Sequence, residues 1–193
     1  MISLIREKVK QYSPKTMESP GAICAGVVIP IYEKEQESFI VLTKRSNEVR
    51  MHKGEVSFPG GMYEDNDGSI MNTALRECCE EIGVRKKDVE IIGRLDDMYT
   101  LTGFVITPYV GIIPYPYRFK TNPGEVAYLI NLPVKYLMGV NPGMEEAEYM
   151  GNIQIVPSFY YNGDRVWGAT CRLLLQFRKI VKNGPLAKLQ VLP

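Results

Sequence analysis

The chain has 193 residues and a formal net charge of +1 at pH 7; 45% of its residues are hydrophobic and 23% are charged. This balance is typical of one globular domain with a substantial core, and it argues against a disordered or repetitive chain. The near-neutral charge also excludes the global basic field that nonspecific binding to nucleic acid requires.

Cysteine, histidine and leader signals restrict the location of the protein and the kind of metal site. The four cysteines follow no CxxC or zinc spacing, and a single histidine, His52, excludes a His-rich transition-metal site. The first residues carry charges, and no stretch approaches the length of a membrane span. We therefore expect a cytoplasmic protein with free thiols that binds neither membrane nor nucleic acid. The sequence leaves open whether the chain forms a homodimer.

The chain begins with a predicted helix and a hairpin. The spacing of apolar residues predicts a short amphipathic helix over 2–11, and a loop rich in Pro and Ser follows to Pro20. Apolar and β-branched strands are predicted over 22–32 and 37–43, joined as a hairpin around the polar turn EKEQ. Residues 44–62 are predicted as a long loop punctuated by glycines.

A helix follows, with Ser69 as its N-cap, Ile82 in its last turn and Gly83 as the residue that ends it. One face of this helix is apolar enough to dock on a sheet. That face consists of Ile70, Ala74, Leu75, Cys78 and Ile82.

The second half of the chain adds strands and two helices. The predicted strands cover 89–95, 107–113, 125–132 and 153–161. Asn162-Gly163 is a strong turn signal, Pro133 begins a short helix at an N1-like position, and 167–181 forms a long helix. This order predicts an α/β fold with a mixed β-sheet and helices on both of its faces.

The run RECCEEIGV carries the most informative charges. It places Glu77, Glu80 and Glu81 at i, i+3 and i+4, which is one face of a helix. Hard cations such as Mg²⁺ or Mn²⁺ are the usual counter-charge for such a cluster of oxygen ligands. The alternative is a solvated acidic helix face without a metal.

The segment GEVSFPGGMYEDNDGSIMNTALRECCEEIGV resembles the Nudix box, the signature of Nudix hydrolases, whose pattern is G-x5-E-x7-R-E-U-x-E-E-x-G-U with U apolar. From Arg76 to Val84 the match is complete. Upstream, Asp67 follows Gly61 after five residues where the family has a glutamate, and eight residues instead of seven separate it from Arg76. We assign Asp67 no more than a supporting role.

A second motif, LTKRSNEVRMHKGEVSFPGG, resembles the L-T-x-R-S-x3-R-x3-G-x3-F-P-G-G pattern of the coenzyme A pyrophosphatase subfamily of Nudix hydrolases, which also tolerates the aspartate and the longer spacing. The positions in register are Arg45, Ser46, Arg50, Gly54, Phe58, Pro59, Gly60 and Gly61. Near the end of the chain, VWGATCRLL also resembles the segment that opens the last helix of these enzymes.

The resemblance implies a Nudix-type α/β/α sandwich that spans 1–193 as a single domain, with 1–20 as a helix and loop extension. It implies Mg²⁺ or Mn²⁺ as the cofactor. The implied metal ligands are Glu77 and Glu81, Glu80 as a third, and the Gly60 carbonyl as a backbone ligand.

The implied catalytic residues are Arg76, Glu77, Glu80 and Glu125. Arg76 would orient or neutralise a glutamate through a bidentate pair, and its alternative is a salt bridge on the helix surface. Glu125, in TNPGEVAYL, is a candidate general base, with a solvated residue at the edge of a strand as the alternative.

The implied substrate-binding residues are Lys44, Arg45, Arg50, Gly54 and Gly61. Arginine forks suit the phosphates of coenzyme A, including its ribose 3′-phosphate. The alternative is a solvated basic loop. We interpret the aromatic residues Tyr115, Tyr117 and Phe119 as loop packing instead of an adenine-binding shelf.

The activity implied by the resemblance is the metal-dependent cleavage of coenzyme A or its thioesters to adenosine 3′,5′-bisphosphate and 4′-phosphopantetheine or its acyl form. One alternative is a Nudix pyrophosphatase for another nucleoside diphosphate derivative, such as ADP-ribose or a dinucleotide. The other alternative is a non-catalytic, Nudix-like ligand sensor, for which lost box carboxylates would be the mark.

Overall fold

A computed structural model describes residues 1–18, 21–49, 51–100, 102–149 and 151–183. Its helices are α1 (Ile2–Gln11), α2 (Ile70–Ile82), α3 (Val134–Gly139) and α4 (Gly168–Asn183). Its strands are β1 (Ile23–Lys34), β2 (Glu37–Arg45), β3 (Val56–Ser57), β4 (Gly60–Met62), β5 (Glu90–Arg94), β6 (Met98–Tyr99), β7 (Phe104–Ile112), β8 (Val126–Pro133), β9 (Gly143–Tyr149), β10 (Asn152–Tyr161) and β11 (Asp164–Trp167).

Eight of these strands form a mixed sheet, as predicted. Its main path runs β3-β2-β1-β7-β5, while β4 pairs with β1, β6 with β7 and β8 with β2. The β1–β7 pair is parallel and the other pairs of this sheet are antiparallel. Strands β9, β10 and β11 form a separate antiparallel sheet in the order β11-β10-β9.

Helices pack on both faces of the larger sheet. Alternate residues of β1 and β2 point to opposite faces, so each strand contributes side chains to two cores. Val28 and Val41 pack with the apolar face of α2. Ile29 and Ile40, one residue away on each strand, pack instead with α1, α3 and α4 in a larger core that includes Phe177. The two cores confirm the α/β/α sandwich.

Local signals placed several elements correctly. Helix α1 spans the predicted residues, and the β1–β2 hairpin turns at Glu35 and Gln36, both with positive φ. Ser69 caps α2 by accepting a hydrogen bond from the Asn72 N–H at 3.2 Å. Gly83 ends that helix in the left-handed region, with φ of 73°.

Three features differ from the prediction. The predicted loop 44–62 contains the end of β2 and the short strands β3 and β4, whose few residues are too short to show alternation. Strands β6 and β9 were also not predicted; β9, GMEEAEY, is acidic and forms the edge of its sheet. Pro133 is the N-cap of α3 and the last residue of β8, because its fixed φ suits both.

Within the described residues, no helix combines the length and the apolar character that are needed to cross a membrane.

Candidate active site

A cavity of about 500 Å³ is bordered by β4, α2 and the start of α4. Both sequence motifs contribute to its wall. The lining includes Arg45, Gly60, Gly61, Glu77, Glu81 and Glu125, together with apolar residues of β1, β6 and β7 and the segment 167–173. The cavity therefore borders on the carboxylates of Glu77, Glu81 and Glu125 as well as on apolar side chains.

Arg76 is the centre of a charge network at the N-terminal half of α2. Its Nε and Nη2 donate to the two oxygens of Asp67 at 2.8 and 3.1 Å, and its Nη1 donates to Glu77 at 2.8 Å and Glu80 at 3.1 Å. The bidentate partner is thus Asp67, which corrects the expectation of a bidentate pair with a glutamate. Arg76 still contacts two of the three box glutamates and restricts where their carboxylates lie.

Asp67 is buried and fastens the turn before α2 to the helix. Besides Arg76, it accepts hydrogen bonds from the Thr73 hydroxyl at 2.8 Å and the Glu64 N–H at 3.1 Å. The Arg76 guanidinium, more than any other neighbour, holds the pKa of Asp67 well below its usual range, and the same contact raises the pKa of Arg76. Asp67 therefore remains charged and acts as the anchor of Arg76.

Glu77 lies against the backbone of β4, where only glycine leaves room for it. A Cβ atom at Gly61 would lie 2.3 Å from Glu77 Oε1, which is closer than any real contact of this kind. Burial is the largest influence on Glu77 and raises its pKa, while Arg76 lowers it and the charges of Glu80 and Glu125 raise it. Gly61 therefore forms the seat of this carboxylate.

Glu81 is the most deeply buried acid of the site, with 3% of its surface exposed. Burial raises its pKa to about 8, although Arg45 and the Gly60 N–H lower it. Its Oε1 lies 3.9 Å from Arg45 Nη1, and its Oε2 is buried without a hydrogen-bond partner among the described residues. A buried carboxylate oxygen without a partner is costly, and a hard cation would satisfy it.

The box glutamates do not form a ready-made metal cage. In the part of the chain that the structure describes, no three His, Cys, Asp or Glu side chains are arranged to hold a metal ion. Glu77 and Glu81 border the cavity, whereas Glu80 lies outside its lining, with 54% of its side chain exposed and its carboxylate held by Arg76. The unsatisfied Glu81 oxygen and the seat for Glu77 nevertheless fit a divalent cation, so the metal ligands stay a prediction.

The predicted substrate-binding residues are dispersed. Arg45 and Gly61 line the cavity. Lys44 lies outside the lining and pairs with Asp164, with 2.8 Å between Lys44 Nζ and Asp164 Oδ1, because β2 carries its side chain towards β11. Gly54 also lies outside the lining, in a turn with φ of 65°, and Arg50 falls outside the described residues.

Glu125 lies beside the carboxylates, as a general base would require. Its side chain lines the cavity, and its charge raises the pKa of both Glu77 and Glu81. Its backbone carbonyl accepts a hydrogen bond from the Ser46 N–H at 2.8 Å, which fixes the loop to a residue of the second motif.

The sequence did not predict several other residues that line the cavity. Trp167, Thr170 and Arg172 come from the segment VWGATCRLL, and Met98 and Tyr99 come from β6. The resemblance of the first segment to the family was a usable signal, because it marked residues at the start of α4. The two-residue strand β6 carries no comparable signal.

The aromatic loop lies away from the cavity lining. Tyr115 stacks on Tyr32 with 5.3 Å between ring centroids, and Tyr117 packs against Phe119 at 5.6 Å. The Tyr117 hydroxyl also donates to Asp88 at 2.8 Å. These contacts agree with the interpretation as loop packing.

The sandwich fold and the Nudix-box residues on α2 are typical of one protein family, and a sequence comparison identifies the same family. The sequence profile of the NUDIX domain matches residues 23–149. The chain belongs to the Nudix family, whose hydrolases act on nucleoside diphosphate derivatives and generally use divalent metals.

Similar proteins include two bacterial Nudix hydrolases named NudL, both described as uncharacterized. The protein of Photorhabdus laumondii is 31% identical over 159 residues, which cover 82% of this chain and 84% of that protein. The protein of Enterobacter sp. is 35% identical over 151 residues, which cover 78% of each.

Solved structures share the fold. A MutT/nudix family protein from Enterococcus faecalis aligns with a TM-score of 0.56 and 13% identity over 94% of this chain and 70% of that one. The NUDIX domain of Shewanella oneidensis NrtR, complexed with ADP ribose, aligns with a TM-score of 0.50 and 18% identity over 70% of this chain and 86% of that one.

Proposed function

We propose that this Nudix hydrolase cleaves the diphosphate of coenzyme A or its thioesters to adenosine 3′,5′-bisphosphate and 4′-phosphopantetheine or its acyl form. The observation that carries the proposal is the meeting of two motifs in one cavity. Arg45, from the motif typical of coenzyme A pyrophosphatases, lies beside the box residue Glu81. Residues that mark the substrate and residues that mark the chemistry therefore border the same space.

Glu77 and Glu81, with Glu80 and the Gly60 carbonyl, would hold Mg²⁺ or Mn²⁺. When bound there, a divalent cation acidifies water and neutralises the departing phosphate. The carboxylates bind and do not attack phosphorus, so no covalent intermediate forms on the chain.

The remaining groups act on protons, charge and position. Glu125 accepts the proton of the attacking water, since its side chain lines the same cavity. Arg45 offers positive charge to the phosphates from one wall. Arg76 orients Glu77 and Glu80 by donating to both, and Asp67 holds Arg76 in place.

Two other functions remain as alternatives. One is a pyrophosphatase for ADP-ribose or a dinucleotide. The NrtR domain complexed with ADP ribose shares the fold of this chain, and this is its only support for that alternative. The other is a non-catalytic sensor, against which the three retained box glutamates stand.

Mass spectrometry of the products from a panel of diphosphates, with Mg²⁺ and with Mn²⁺, tests the proposal. Coenzyme A should give the highest kcat/KM and should exceed 3′-dephospho-coenzyme A by about ten- to a hundredfold, since one charge-assisted contact contributes roughly 1.5 to 3 kcal/mol. Arg50→Ala should remove most of that preference. Equal efficiency with both compounds would favour the broader pyrophosphatase.

We also propose a cytoplasmic location and a single domain over 1–193. The four cysteines are free thiols in the structure, which suits a reducing compartment. Helices α1 and α4 pack into one core with the sheet, which supports their assignment to the same domain as the matched residues 23–149.

A further inference from the structure

Residues 12–17, which we call the clamp segment, are fastened to the loop between β5 and β6. Asp96 Oδ1 accepts hydrogen bonds from the Tyr12 hydroxyl at 2.8 Å and the Lys15 N–H at 2.7 Å. Asp97 adds two more, because its N–H donates to the Lys15 carbonyl at 3.0 Å and its Oδ2 accepts from the Met17 N–H at 2.9 Å. Four hydrogen bonds thus join two segments that are far apart in sequence.

Asp97 also ties this junction to the sheet. Its Oδ1 accepts from Arg94 Nη1 and from the Thr107 hydroxyl, both at 2.9 Å. With 6% of its side chain exposed, the carboxylate has a separate partner set on each oxygen. Asp97 therefore connects the clamp segment with β5 and β7 at once.

The strand that follows, β6, is a wall of the cavity. Met98 and Tyr99 line the cavity and pair with β7, with Met98 opposite Ile106. Ile106 lies opposite Ala25 of β1, and Ala25 lies opposite Met62 of β4. Because neighbouring strands are about 4.8 Å apart, β6 lies roughly 14 Å across the sheet from the strand that seats Glu77.

We propose, given the cavity as the active site, that Asp96 and Asp97 are positioning residues. By fastening the clamp segment to β6, they hold the cavity wall that contacts the part of the substrate remote from its diphosphate. Contacts that act alike on the bound substrate and the transition state change KM and leave kcat unchanged, and we assign the contacts of this wall to that kind.

Two substitutions loosen the clamp without touching the cavity lining. Asp96→Ala removes two hydrogen bonds and should raise KM about tenfold, while Tyr12→Phe removes one and should raise it about threefold. Tyr136→Phe is the matched control, because it removes a tyrosine hydroxyl that donates to the Tyr160 carbonyl at 2.6 Å and lies outside the lining. Its KM should stay within about twofold of the parent value.

The kinetics are measured with the best substrate of the diphosphate panel, and melting temperatures are recorded for each variant. Trp167, the only tryptophan of the chain, lines the cavity and reports binding by fluorescence when coenzyme A is titrated without metal. If the parent neither binds nor cleaves coenzyme A, the proposed substrate is wrong, and ADP-ribose replaces it as the probe.

The clamp is supported if KM and the dissociation constant rise together while kcat stays within about twofold. It is overturned if both clamp variants behave like Tyr136→Phe, or if kcat falls while KM does not change. Should Asp96→Ala fail to fold, Tyr12→Phe decides alone, since it keeps the aromatic ring and its packing.

Discussion

Glu81 carries a carboxylate oxygen that is buried and has no hydrogen-bond partner among the described residues. Arg45 compensates for the buried charge only in part, because the two side chains approach to 3.9 Å and no closer. The pKa of about 8 expresses the same imbalance. A residue in this condition is poorly suited to a purely structural role and well suited to binding a cation.

Replacing Glu81 by glutamine keeps its shape and removes the ligand charge. Turnover at saturating Mg²⁺ should fall by about a hundredfold or more, while the fold survives. Glu7→Gln, on the exposed side of α1, is the matched control and should keep parental turnover. Turnover of the Glu81 variant within about threefold of the parent would remove Glu81 from the metal ligands.

The pH dependence of stability should also reveal Glu81 in protein kept free of metal by a chelator. The folded protein retains the proton up to about pH 8, whereas the unfolded chain releases it near pH 4.3, so the folded state binds more protons in between. The free energy of unfolding should therefore fall as pH rises through this window, by at most about 1.4 kcal/mol per pH unit. Glu81→Gln should lack this component, and parallel curves for the two proteins would contradict it.

At the scale of elements, the site depends on how closely β4 approaches α2. Gly61→Ala would place a Cβ atom 2.3 Å from Glu77 Oε1, so the carboxylate must move. We expect a loss of turnover of about tenfold or more with little change in melting temperature. Gly139→Ala is the matched control, since a Cβ there meets nothing within 4 Å; equal kinetics for the two variants would show that the seat is dispensable.

The turn before α2 is a second element-scale dependence. Asp67→Asn removes the charge that anchors Arg76, and turnover should fall about ten- to a hundredfold, as for other residues that orient ligands. Asp88→Asn breaks a similar aspartate–arginine pair with Arg85 beyond the other end of α2, and its turnover should be unchanged. A comparable loss in both variants would point to helix stability as the cause.

At the scale of the whole molecule, the sequence predicted elements whose signals are local. Helix α2 was predictable from its N-cap, its apolar face and Gly83, and the β1–β2 hairpin from two strands around a short polar turn. The two-residue strands β3 and β6 were not, because their pairing depends on partners distant in sequence. The parallel β1–β7 pair likewise follows from tertiary contacts and not from any pattern in either strand.

The candidate site likewise contains residues that the sequence predicted and residues that it did not. The sequence predicted that Glu77 and Glu81 lie near Gly60 and Gly61, since one motif contains all four. The structure agrees, because all four line one cavity. It did not predict the pairing of Lys44 with Asp164, which depends on the packing of β11 against β3, the strand that pairs with Lys44. It also did not predict that Met98 lines the cavity, because a methionine at that position gives no indication of binding.

We propose that water attacks phosphorus of the coenzyme A diphosphate at a site built on Glu77 and Glu81. Hydrolysis of acetyl-coenzyme A in ¹⁸O-water with Mg²⁺, followed by mass spectrometry, tests this proposal. We predict acetyl-phosphopantetheine with its acyl group intact and adenosine 3′,5′-bisphosphate, with the label in a phosphate of one of them. Release of free thiol and acetate without a labelled phosphate would mean that the protein is a thioesterase and would contradict the claim.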